Sequence, residues 1–191
     1  RDCLLSRGLG DVYKRQKIIG MIQFCRSATQ CLQNFCIQNE RIKEMTKLAL
    51  SDEILMKIDK PARYIGNELN SVVKEKDTVD IRFVMCFPDV YEIGMSHLGI
   101  QILYDMLNKR EDVWCERVYS PWPDLHAILK EENIPLFSLE SQQPVKDADF
   151  LGITIQYEMC YTNILQILDL SQIPIEAADR TENDPILIGG G

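Results

Sequence analysis

Three apolar runs constrain this chain more than any other feature: IRFVMCF from residue 81, FLGITIQY from residue 150 and DPILIGGG from residue 184. Each is short, and the first two are rich in β-branched or aromatic residues, as in strands buried on both faces. Between them, apolar residues recur at helical spacing. Ser96 is the expected N-cap of a helix presenting Met95, Leu98, Gly99, Ile102, Leu103 and Met106. WCERVYS, from residue 114, reads as a second, shorter strand. Ser120 and Pro121 open the next helix, with Trp122, Leu125, Ile128 and Leu129 on one face. IPLFSLE is a short strand or extended edge, and Tyr161, Ile164, Leu165 and Leu168 form the face of a further helix. Strands alternating with helices imply a parallel sheet with helices on both faces and right-handed crossovers. Ligands of such sheets sit outside the carboxyl ends of the strands, where the strand order reverses. That rule selects residues 87–97, 156–160 and 189–191.

The residues before this alternation divide differently. DVYKRQ, residues 11–16, is the translation of GAT-GTG-TAT-AAG-AGA-CAG, a string resembling a transposon adaptor end of sequencing libraries. Residues 1–16 are therefore expected to be translated adaptor. KIIGMIQFC, from residue 17, is too short to span a bilayer and lacks a cleavage site of small residues. The expected organisation is residues 1–44 as artefact or untranslated leader without order, 45–78 as an N-terminal helix and arm, and 79–191 as an incomplete α/β domain. Met45 is the expected start. Ser51 caps a helix over DEILMKI with two acids in its first turn, and Pro61 stops it. PARYIGNELN reads as an irregular arm.

Composition narrows the function. A net charge of -8 argues against a direct grip on nucleic acid. No apolar run suits a membrane span, and the expected location is cytoplasmic. After residue 45 only Cys86, Cys115 and Cys160 remain, widely spaced, which suggests a reducing compartment and no disulfide framework. No spacing of Ser, His, Cys or Asp signals nucleophilic catalysis or a metal cage.

Three loops remain as candidates. The stretch CFPDVYEIGMSHLGIQIL, from residue 86, has neither a G-x-G-x-x-G fingerprint nor a phosphate-binding G-K-[ST]. Its Asp89, Tyr91, Gly94 and Ser96 lie where a helix N-terminus meets a ligand. The structural alternative gives Gly94 a positive φ angle in a turn. His97 is read as a helix-start contact rather than a metal ligand, and His126 as a mid-helix residue. Gly152, Thr154 and Gln156 alternate onto one face of the second run, either to meet a ligand or simply to pack, with the hydroxyl bonded locally. Gly189 and Gly190 follow the last run, where backbone N–H groups approach a ligand tail or make a plain turn.

Taken together, KPARYIGNELN, CFPDVYEIGMSHLGIQILYDMLN, CERVYSPWPDL, IPLFSLES and DFLGITIQYEMCYTNILQILDL resemble the N-terminal region of a large group of radical SAM proteins. The resemblance covers about residues 45–191. It implies a flavodoxin-like or Rossmann-like α/β domain of the cobalamin-binding type, truncated at its C-terminus. It also implies a radical SAM barrel as the partner within the same protein. There a C-x-x-x-C-x-x-C motif, absent here, holds a 4Fe–4S cluster beside S-adenosylmethionine. By the same resemblance, Thr154, Gly189 and Gly190 lie beside the nucleotide tail of cobalamin. One position departs. Cobalamin domains that supply a lower cobalt ligand carry D-x-H-x-x-G, and here Tyr91 stands at the histidine position between Asp89 and Gly94. The alternatives are a cofactor-free docking or substrate-binding module on the same fold, or an unrelated flavodoxin-like nucleotide-binding domain.

Overall fold

The computed structural model describes residues 50–190. The readings of residues 1–44, of Met45 and of Gly191 lie outside the described residues. In chain order the elements are α1 (Asp52–Lys57), β1 (Ile81–Phe87), α2 (Tyr91–Ser96), α3 (Leu98–Asn108), β2 (Val113–Tyr119), α4 (Pro123–Glu131), β3 (Phe150–Thr154), α5 (Tyr161–Leu170) and β4 (Ile186–Gly190). Short 3-10 turns punctuate the connections. The strands form one sheet in the order β2-β1-β3-β4, with every pairing parallel. This is the flavodoxin-like α/β arrangement.

Alternation along β1 splits the core in two. Ile81, Phe83, Met85 and Phe87 pack on one face against Ile100, Leu103, Tyr104 and Leu107 of α3. Val84 and Cys86 pack on the other against Leu125 and Leu129 of α4 and Ile167 and Leu168 of α5. Because both faces are covered, all seven residues of β1 and all seven of β2 are buried. That burial explains why β1 reads as a near-continuous apolar run rather than an alternating one.

The two outer edges of the sheet differ. The arm after α1 runs alongside β2. Trp114 donates its indole N–H to Val72 O at 3.0 Å, Val72 N donates to the Tyr104 hydroxyl oxygen at 2.7 Å, and Lys74 Nζ donates to Val113 O at 2.6 Å. Leu139 N donates to Arg117 O at 2.8 Å from the opposite loop. Gly66 turns the arm at φ +67 close to Leu139 O, where a side chain would be both strained and obstructed. At the far edge, β4 pairs with β3 alone among the described residues.

Local expectations are corrected at five places. Ser96 does not cap the long helix. It ends the short α2, and its hydroxyl donates back to Ile93 O at 2.9 Å and Glu92 O at 3.1 Å. The cap is His97, whose Nδ1 accepts from Ile100 N at 3.4 Å while its ring lies 5.0 Å from that of Phe87. The third helix starts at Pro123 behind Trp122, not at Ser120, because Pro123 supplies the helix-ready φ at its first position. IPLFSLE forms no strand and makes a single bridge, Phe137 to Pro144. Gly94 is helical, and a Cβ there would run into the Tyr119 ring closer than 3.0 Å, so close packing rather than a positive φ explains it. Gly189 and Gly190 belong to β4 itself rather than to a loop beyond it.

Candidate functional site

The strand order reverses direction between β1 and β3, and their carboxyl ends bring the sequence-selected residues to one rim. Three hydrogen bonds cross this switch point. The Thr154 hydroxyl donates to Cys86 O at 3.2 Å, the Tyr157 hydroxyl to Asp89 Oδ2 at 3.1 Å, and Asn163 Nδ2 to Pro88 O at 3.0 Å. Asp89 Oδ1 also accepts from Val90 N at 2.8 Å. The bond to Asp89, reinforced by the carboxylate's charge, raises the pKa of the Tyr157 hydroxyl and keeps it a donor. The crevice in which such sheets usually hold ligands is thus stitched by the chain's own loops.

The other sequence-selected residues surround that seam without converging on a common point. Tyr91 turns its hydroxyl onto Glu68 Oε1 of the arm at 2.7 Å, and its ring meets Tyr119 edge-on at 5.7 Å. Burial, then the Glu68 bond and charge, push its hydroxyl up to about 12, so it stays a neutral phenol. Gly94 lies behind it against Tyr119, and Ser96 and Gln156 are exposed. Thr154 and Gly190 are direct register partners, and Gly190 O accepts from Ile155 N at 2.7 Å. A Cβ on Gly189 would stand 3.2 Å from Ile155 Cδ1, so the chain's own isoleucine fills the space beside that glycine.

These positions do not fit a His-ligated corrinoid. The residue at the ligand position is a neutral phenol already bonded to Glu68. The Thr154 hydroxyl is committed to Cys86 O, and Ile155 occupies the flank of Gly189. Among the described residues no group of three or more His, Cys, Asp or Glu could hold a metal ion. Cys86, Cys115 and Cys160 are free and buried, and burial pushes the Cys86 and Cys115 thiols upward.

Beside the stitched seam lies an open groove of about 480 Å³. The loop after β2 forms one wall, with Ser120, Pro121, Trp122 and Pro123, and His126 of α4 and Asn163 and Gln166 of α5 contribute polar groups. The Trp122 indole is fixed by the Arg63 guanidinium, 4.4 Å from its ring centroid, which in turn pairs with Glu92 at 2.6 Å. Sequence reasoning treated His126 as an ordinary helical residue and did not single out Asn163 or Gln166. The available signal was the spacing of three, which puts Asn163 and Gln166 on one face of the helix following the second loop.

Two buried ion clusters also escaped the sequence reading. On the α3 face, Arg117 pairs with Glu140 at 2.6 Å and with Glu68 at 2.8 Å, and stacks 4.4 Å over the Tyr104 ring. On the other face, Arg82 pairs with Glu116, whose Oε1 accepts from the Ser138 hydroxyl at 2.8 Å and Ser141 N at 2.9 Å. Burial pushes the Glu140 carboxyl up to about 7 against the opposing pull of Arg117. These groups fasten the arm and the loop before β3 to the edge of the sheet.

A family model described as radical SAM proteins, N-terminal, matches residues 99–191. The match supports the N-terminal region of a radical SAM protein. It includes Thr154, Gln156, Gly189 and Gly190 and begins after Asp89, Tyr91, Gly94 and Ser96. No curated protein and no solved structure matches the chain. Radical SAM enzymes in general use a 4Fe–4S cluster and S-adenosylmethionine. No helix among the described residues is long and apolar enough to cross a membrane.

Proposed function

We propose that this chain is the N-terminal module of a radical SAM enzyme, and that it docks the catalytic barrel or a substrate without holding a cofactor of its own. The match over residues 99–191 supports the parent chemistry. The observation that carries the cofactor-free reading is the stitched switch point, where Thr154, Tyr157 and Asn163 spend their hydrogen bonds on the loop after β1. In this reading the cluster and S-adenosylmethionine belong to a barrel outside the described residues and supply the radical chemistry. The present residues contribute a rigid carboxyl rim and the arm clamped by Arg117 and Glu68. A cytoplasmic location is part of the proposal, and three free cysteines support it.

Cobalamin binding is the competing reading. Thr154 and Gly190 pair in register on adjacent strand ends, and their proximity favours it. Visible spectroscopy separates the two. The uninterrupted gene product is purified anaerobically, reconstituted with iron and sulfide, mixed with hydroxocobalamin and desalted. Cluster absorbance without a retained corrinoid band is expected. A stoichiometric corrinoid band would overturn the cofactor-free reading, and failure to cleave S-adenosylmethionine after successful reconstitution would overturn the radical SAM assignment.

A further inference from the structure

The groove beside the switch point has a polar wall with a fixed order of donors and acceptors. The Ser120 hydroxyl donates to Gln166 Oε1 at 3.2 Å, which directs the Gln166 amide nitrogen to His126 Nδ1. In this orientation of the Gln166 amide its nitrogen donates and His126 Nδ1 accepts. The proton of neutral His126 then resides on Nε2, where it is available to a ligand. Asn163 spends its amide nitrogen on Pro88 O and keeps Oδ1 as an acceptor. The lining contains no Asp, Glu, Lys or Arg, so a charged ligand would lose hydration without gaining a counter-charge. The apolar wall is flat and rigid, formed by Pro121, Pro123 and a Trp122 indole 40% exposed even with Arg63 over one face. Its volume of about 480 Å³ falls within the range of small-molecule sites.

We infer that this groove binds an uncharged planar heteroaromatic ring, of the purine nucleoside kind, stacked along Trp122 and oriented by the Nε2–H of His126. The ring offers its acceptor edge to His126, and an exocyclic amine can donate to Asn163 Oδ1. The assignment does not depend on the radical SAM reading, and its test is independent of cluster chemistry.

The chain has two tryptophans and two histidines, which makes the measurement direct. Trp114 is 4% exposed, so quenching of fluorescence by an added ring reports chiefly on Trp122. Adenosine titrated into the full chain is expected to quench saturably, and Trp122→Phe to abolish the change. His126→Ala should weaken binding about tenfold, as expected for loss of one hydrogen bond. Adenosine monophosphate should bind no more tightly than adenosine. Nitrogen-15 spectra of the unaltered protein near neutral pH should show His126 protonated at Nε2, with that resonance moving when adenosine is added. Linear, unsaturable quenching, full quenching in Trp122→Phe, tighter binding of the monophosphate, or a proton on Nδ1 of His126 would each overturn the proposal.

Discussion

Replacing Arg117 with methionine isolates the chemistry inside the edge of the sheet. The Arg117 side chain is 2% exposed and that of Glu140 is 0% exposed. Without the guanidinium, the Glu140 carboxylate keeps only the bond from the residue 117 backbone N–H, at 2.7 Å in the native chain. Glu68 loses its cation as well, which loosens the arm where Tyr91 also holds it. Removing one partner of a buried ion pair costs about 3–5 kcal/mol, far more than the ~0–1 kcal/mol of a surface pair. The pH dependence gives the mechanism away. Glu140 in the native protein has a pKa raised to about 7 by burial, so the folded state binds its proton more tightly than the unfolded chain. The resulting stability is fully present below the ordinary carboxylate range and is lost as pH rises through about 7. Arg117→Met removes the attraction that opposes burial, so the Glu140 pKa rises further and the defect grows with increasing pH. Urea unfolding followed by circular dichroism, from mildly acid to mildly alkaline pH, measures this. Arg117→Met should be most damaging at the alkaline end, and the double variant Arg117→Met, Glu140→Gln should recover much of the loss and flatten the profile. A loss under about 1 kcal/mol at every pH, or no recovery in the double variant, would refute the reasoning.

Three smaller perturbations test other contacts. Gly94→Ala should destabilise by about 1–3 kcal/mol through collision with the Tyr119 ring, despite a helix-propensity gain near 1 kcal/mol, and thermal melts will register the net sign. Ser51→Ala removes the 3.3 Å cap on Ile54 N and should cost about 1 kcal/mol, visible as faster amide exchange in α1. Tyr157→Phe breaks the solvent-exposed bond to Asp89 at the switch point, and amide exchange in residues 155–160 should accelerate measurably, with global stability nearly unchanged.

The sequence by itself determined the layer architecture. Apolar runs such as IRFVMCF can be satisfied only when both faces of a sheet are covered, and the helical periods between them supply those covers. It also located the rim, since the carboxyl ends of strands are marked by where apolar runs end, and it assigned His97 to the start of a helix. Strand order was not legible, because a parallel crossover can land on either side of its predecessor and the choice rests on packing across the whole sheet. Nor were the burial of Arg117 and Arg82 or their carboxylate partners: a charged residue in WCERVY reads as exposed until distant segments bring Glu140 and Glu68 against it. The open groove has the same origin. His126 and Gln166 are 40 positions apart, and only the packing of α4 beside α5 lets one orient the other. Local spacing dictates local structure, but a site assembled from separate elements is set by tertiary contacts, which no single window of sequence contains.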